Sequence, residues 1–126
     1  MVDEVVIGTN SFPVLVAISE EEQRKGLMGV SWPPPIMAFP YKKANVHKFW
    51  MKNTPSPLNI LFCHAGRIIE ICDGEPYSTT LIGPNTYSDL IVEMPQGSVA
   101  KHDIKINDKI RIKYSSDSLK KLFPQL

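Results

Sequence analysis

Trp50, Lys52, Asn53 and Thr54 fall within five consecutive positions, and Pro55, Pro57 and an apolar run containing a single amide, Asn59, follow them. A plain core strand needs none of these polar groups. With Glu93 they form a set suited to a small polar ligand: an indole face for stacking, with ammonium, amide, hydroxyl and carboxylate groups to exchange hydrogen bonds. A carbohydrate or another small polar metabolite would match. The competing structural reading has Asn53 and Thr54 bonding the backbone around the bend at Pro55 and Pro57, while Trp50 fills the core.

Nucleophilic catalysis would need a nucleophile, a base and an oxyanion donor in register. The candidates are Cys63 or Cys72 with His47, His64 or His102. Cys63 and His64 are sequence neighbours, so on a strand they point to opposite faces and cannot act together. The chain has no G-x-S-x-G elbow and no C-x-x-C pair. Its histidines, cysteines and carboxylates stand at neither C-x2-C nor H-x3-H spacing, so no metal site is legible. No catalytic residue, metal or cofactor is assigned. The expectation is a non-catalytic binding module for a small polar ligand or a partner surface. A structural or assembly subunit, such as a component of a phage particle, is the alternative, and a hydrolase-type enzyme has the least support.

The elements that must hold these residues read as mostly β. Eleven prolines among short β-branched runs argue against a helical bundle. Strands are expected at residues 5–7, 14–17, 36–39, 46–51, 58–63, 68–72, 88–94 and 109–114, which suggests one small compact barrel or sandwich. One short N-terminal helix should begin at Ser19, with Glu22 as capping-box partner and Gly26 or Gly29 as its end. A second can start near Ser116 or Asp117 and run to Phe123, before Pro124. Its apolar side could dock on the domain or on a partner.

The hairpin is the best-defined piece. With Ala65-Gly66 as its turn, Cys63 faces Ile68 and Cys72 faces Asn59. The thiols are then too far apart for a disulfide, whose Cα atoms lie within about 7 Å. Leu58, Ile60, Phe62, Ile69 and Ile71 share an apolar face, and Asn59, Leu61, Cys63, Ile68, Glu70 and Cys72 share a mixed one. Residues 104–114 alternate Ile110, Ile112 and Tyr114 against Lys109, Arg111 and Lys113, a pattern that suits a protected edge strand.

The bulk numbers set outer bounds. A chain of 126 residues with 43% hydrophobic content fits a single domain. Fourteen basic and 13 acidic residues leave a charge near +1, so no global field favours nucleic acid or an anionic membrane. Two acids near the start replace the basic residues of a secretory leader, and no apolar run approaches the roughly 20 residues of a membrane span. A cytoplasmic protein with reduced thiols is expected, or one carried within a viral particle on the assembly alternative.

Several stretches resemble the uncharacterised family known as domain of unknown function one-nine-two. They are Gly26-Leu27-Met28, Met37-Ala38-Phe39, Phe49-Trp50-Met51-Lys52-Asn53-Thr54, Pro57-Leu58-Asn59-Ile60-Leu61-Phe62, Val92-Glu93, and Gly97 with Ile106-Asn107-Asp108. The similarity spans about residues 14 to 112 and leaves a tail at 115–126. Asn59 replaces the family's Asp, Val30 a frequent Arg and Asn107 a Gly. The resemblance implies a compact β domain and carries no activity with it. Asn59 in place of Asp weakens any acid–base or metal role at that position, since an amide only donates and accepts hydrogen bonds.

Overall fold

A computed structural model describes residues 2–125; Met1 and Leu126, the outermost residues of the expected single domain, lie outside the described residues. The chain runs β1 (Asp3–Ile7), β2 (Asn10–Val16), α1 (Glu20–Lys25), β3 (Met37–Val46), β4 (Leu58–His64), β5 (Arg67–Gly74), β6 (Tyr87–Pro95), α2 (Ser98–Lys101), β7 (Ile110–Lys113) and α3 (Ser116–Leu122). The strands form one seven-stranded sheet in the order β5-β4-β6-β3-β2-β1-β7. Its two outer strands approach each other, because Ile68 N donates to Asp108 O and Ile110 N to Gly66 O, each at 3.0 Å. The result is a curled half-barrel.

All pairings are antiparallel except β2 with β3. A parallel pair cannot close through a tight turn and needs a crossover. Here the crossover carries α1 and the Gly26-Leu27-Met28 loop over one face of the sheet. Ser19 and Glu22 cap α1 reciprocally, as the sequence indicates, and Gly26 ends it at φ 50°. Gln23 then fixes the helix to the sheet, its Nε2 donating to Ala17 O at 3.0 Å and Pro40 O at 3.1 Å.

The sheet is buried on both sides, so the domain has two apolar clusters. The barrel interior holds Val5, Ile7, Leu61, Cys63, Ile68, Val92, Met94 and Ile110, among others. The opposite face holds Ala17, Leu27, Phe39, Met51, Leu58, Ile60, Phe62 and Ile91. Six consecutive residues of β4, from Leu58 to Cys63, are buried. The expectation of one core face and one mixed face on this hairpin is therefore corrected: residues of both faces pack.

The hairpin register also differs from the simple reading. Cys63 pairs with Ile68 as expected, but a β-bulge between Phe62 and Cys63 shifts the rest by one. Cys72 now stands opposite Ile60, and Asn59 opposite Asp73. The shift moves Ile71 to the interior and Cys72 to the outer cluster. The two cysteines are free and belong to opposite faces of the sheet.

The expected strand at 46–51 is not formed. β3 already ends at Val46, and the chain then leaves the sheet with one isolated bridge, Phe49 to Ile82. Phe49 and Met51 imitate strand alternation because both are needed as apolar cover over Phe39 and Phe62. The helix expected near Ser116 is present as α3, with Ser115 as its cap. Asp3 accepts from Ser115 N at 2.6 Å and Ser118 Oγ at 2.7 Å, and Leu122 is buried. α3 thus docks on its own barrel. The short helix α2 was not foreseen in the sequence reading.

Gly83 sets how close the 75–86 loop comes to the segment after β3. A Cβ at this position, where φ is 137°, would lie 2.8 Å from His47 O and 2.9 Å from the Phe62 ring. Gly83→Ala should therefore destabilise the protein by about 2 kcal/mol or more, read as a lowered urea midpoint at unchanged slope.

Candidate functional site

Glu93 lies on β6, which is flanked by β4 and β3, with Ile60 and Met37 as its ladder partners. Strand alternation places it on the face of Ile91, Phe39 and Ile60, among the apolar side chains outside the barrel. The residue is only 4% exposed, and desolvation is the one influence acting on its carboxyl group. A buried, unpaired carboxylate is costly, and the group responds by holding its proton. Burial alone pushes the Glu93 pKa up to about 8.

Above this carboxyl the outer cover is incomplete. A cavity of about 300 Å³ remains, bounded by Phe39, Tyr41, Phe49, Trp50, Thr54 and Glu93 on the sheet side and by residues 23–28 of the crossover. Local folding explains each wall. Phe39 and Tyr41 lie two residues apart on β3, and the β3–β6 ladder is interrupted between Pro40 and Asn45, next to Tyr41. Phe49 packs edge-on against Phe39 and Phe62, with ring centroids 5.0 and 6.0 Å apart. The two loops are stitched together by Gly29 N donating to Asn53 O at 2.8 Å and Ser56 Oγ donating to Val30 O at 2.9 Å.

The aromatic members differ in exposure. Trp50 is 43% exposed, with the Lys52 ammonium 5.2 Å from its ring centroid, so it is a surface plate rather than core filling. Met51 takes the core position beside it. Tyr41 has its phenol pushed up to about 12, by burial first and by the nearby Glu93 second. His47 stacks on Tyr41 at 3.7 Å, burial lowers its pKa, and its Nε2 is buried without a hydrogen-bond partner.

Of the six residues singled out in the sequence, Trp50, Thr54 and Glu93 line the cavity; Lys52, Asn53 and Asn59 do not. Asn53 is an exposed turn residue at φ 56°, serving through its carbonyl. Asn59 faces the other side of the sheet by alternation. Its Nδ2 donates to Asp73 Oδ1 at 3.1 Å and its Oδ1 accepts from Val99 N at 3.0 Å, so it ties β4 to β5 and α2. Thr54 Oγ1 donates to Lys52 O at 3.1 Å, a bend-holding bond. Asn53, Thr54 and Asn59 thus make bonds that serve the fold, and Trp50 and Glu93 border the cavity.

Sequence reasoning missed Phe39, Tyr41 and Arg24. The signal for the first two was available: Met37, Phe39 and Tyr41 alternate on the strand carrying the Met-x-Phe motif. The cysteines offer no activated nucleophile. Burial pushes the Cys63 thiol up; burial and a hydrogen bond to Glu70 push that of Cys72 up to about 12. Among the described residues no three His, Cys, Asp or Glu side chains gather as a metal site, and no helix is long and apolar enough to cross a membrane.

The family match spans this whole arrangement, since the model of the uncharacterized ACR family DUF192 matches residues 4–112. The chain belongs to the DUF192 family. A crystal structure of a protein of unknown function from Novosphingobium aromaticivorans is similar at 28% identity, with TM-score 0.80, covering 86% of this chain and 83% of that one. A second, from Sinorhizobium meliloti, is named as a candidate transcription regulator. It is 25% identical with TM-score 0.80, covering 86% of this chain and 92% of that one. No curated protein matches. This DUF192 chain thus shares its curled sheet with proteins whose own roles are open.

Two outcomes follow for stability. Asn59→Asp, which installs the family's usual residue, should cost about 1–2 kcal/mol at neutral pH through lost donation and repulsion from Asp73, and recover near pH 4. The native Glu93 binds its proton more tightly folded than unfolded, so stability falls as pH rises from 4.5 to about 8 and then levels. Glu93→Gln should therefore raise the melting temperature little at pH 4 and progressively more toward pH 8, where the gain is on the order of several kcal/mol.

Proposed function

We propose that this protein is a non-catalytic binding module that takes a small polar ligand in the cavity over Glu93. One observation carries the reading: a carboxyl group in a central strand, 4% exposed and with no charge offsetting its burial, forms part of the lining of an open cavity. Buried polar groups in folded proteins are almost always satisfied, and one that is not marks a place where something else supplies the bond. Trp50 offers the stacking surface, and the cavity of about 300 Å³ suits a metabolite rather than a macromolecule.

The alternative of a structural or assembly subunit draws its support from Asn59, Asn53 and Thr54, whose bonds serve the fold. It leaves Glu93 without a reason. A hydrolase reading finds no support in the raised thiols.

Thermal unfolding in the presence of glucose, glycerol, small carboxylic acids and small amino acids tests the proposal. A fitting ligand at about one hundred times its dissociation constant should raise the melting temperature by several degrees. Trp50→Ala and Glu93→Gln should abolish that rise while remaining folded. No rise from any probe class, or a rise that both variants retain, would overturn the reading.

A further inference from the structure

The chemistry of the cavity narrows the ligand further, on the basis of the binding reading above. Glu93 has no cation close enough to offset its burial, for desolvation is the one cause acting on it. The rings of Phe39, Tyr41, Phe49 and Trp50 border the same space. Aromatic faces attract a cation, and a carboxylate accepts its N–H bonds, so the combination favours an ammonium group over a sugar hydroxyl. A bare amine, however, would meet positive charge on the way in. Arg24 and Lys25, in the last turn of α1, are exposed cavity residues that form no ion pair among the described residues. Lys48 adds to that field although its ammonium is held by Gly83 O and Asn85 Oδ1. The cavity therefore has an ionisable acid at its buried end and positive charge at its mouth.

We propose that the site binds a small zwitterion of the ω-amino acid type, its ammonium inside against Glu93 and the aromatic rings, its acid group outside at Arg24 and Lys25. Such a ligand supplies both missing countercharges at once. The length of chain between its two charges is what the cavity selects.

The groups facing Glu93 give the pH dependence its sign. The Tyr41 phenol stays neutral far above pH 8, burial keeps His47 neutral near pH 7 and above, and Arg24, Lys25 and Lys48 are the basic groups at the cavity. An ammonium requires the Glu93 carboxylate, so its binding strengthens as pH rises toward about 8 and above, until the amine itself loses its proton near pH 10. A ligand that accepted a hydrogen bond from the protonated acid would show the reverse trend.

Titration calorimetry with β-alanine, γ-aminobutyrate and δ-aminovalerate, against n-butylamine, butyrate and glucose, tests the proposal near pH 6 and pH 8.5. One ω-amino acid should bind about tenfold or more tighter than n-butylamine and butyrate, and more tightly at the higher pH. Glu93→Gln should remove that binding. Joint Arg24→Ala and Lys25→Ala, both at exposed positions, should erase the preference over n-butylamine while leaving the melting curve in place. Tightest binding by butyrate or glucose, lost in Glu93→Gln, overturns the zwitterion and keeps the pocket. Affinity for an ω-amino acid that Glu93→Gln retains overturns the assignment, and silence from every probe sinks both.

Discussion

The structure depends on a strand buried over six consecutive residues, Leu58 to Cys63. β4 is apolar on both faces, so the sheet must be covered twice, once by its own curl and once from outside. The curl is inexpensive in chain, because antiparallel neighbours supply it. The outer cover has to be assembled from irregular segments, and irregular backbone buries poorly unless its polar groups find partners. That requirement accounts for the polar residues scattered through otherwise apolar stretches. Gln23 satisfies two carbonyls, Ser56 one, and Asn53 offers its own to Gly29. The pattern of the outer loops is in this sense the grammar of a lid that had to be sewn on.

Glu93 stands apart from that pattern. Gln23 and Ser56 have bonds that explain them, whereas at the Glu93 position a leucine would serve the outer cluster better in packing terms. On the binding reading proposed above, a carboxyl group retained at such expense belongs to a site that trades stability for an interaction. Its neighbours reinforce the contrast, since aromatic rings border it and the basic groups at the cavity are Arg24 and Lys25 at the exposed end of α1 and Lys48.

Legibility in the sequence followed the range of the interactions. The α1 cap and the turn at Ala65-Gly66 are local, and both were readable from residue type and spacing. The family motif located the fold and half of the candidate site. The strand expected at 46–51 failed because covering an outer cluster and alternating across a sheet ask for similar residues; only the absence of ladder partners separates them. Asn59 misled for a different reason. It sits inside the motif, one position from residues that face the cavity side, and strand alternation turns that single step into the opposite surface of the sheet. Arg24 was invisible because nothing within a window of sequence brings β6 and the end of α1 together; the parallel crossover does.

The bulge at the start of β5 carries a consequence of its own. On its turn side the strand keeps the phase dictated by Ala65-Gly66, and beyond it the phase is reversed, so Ile68 and Ile71 face one cluster while Ile69 and Cys72 face the other. The strand is in effect two short frames joined by a slipped stitch. Ile69 is the extra residue, and a chain without it would keep Glu70 opposite Phe62 and Ile71 opposite Leu61 in an unbroken ladder. Absorbing that one residue, rather than the turn, decides which cluster each later side chain of β5 joins.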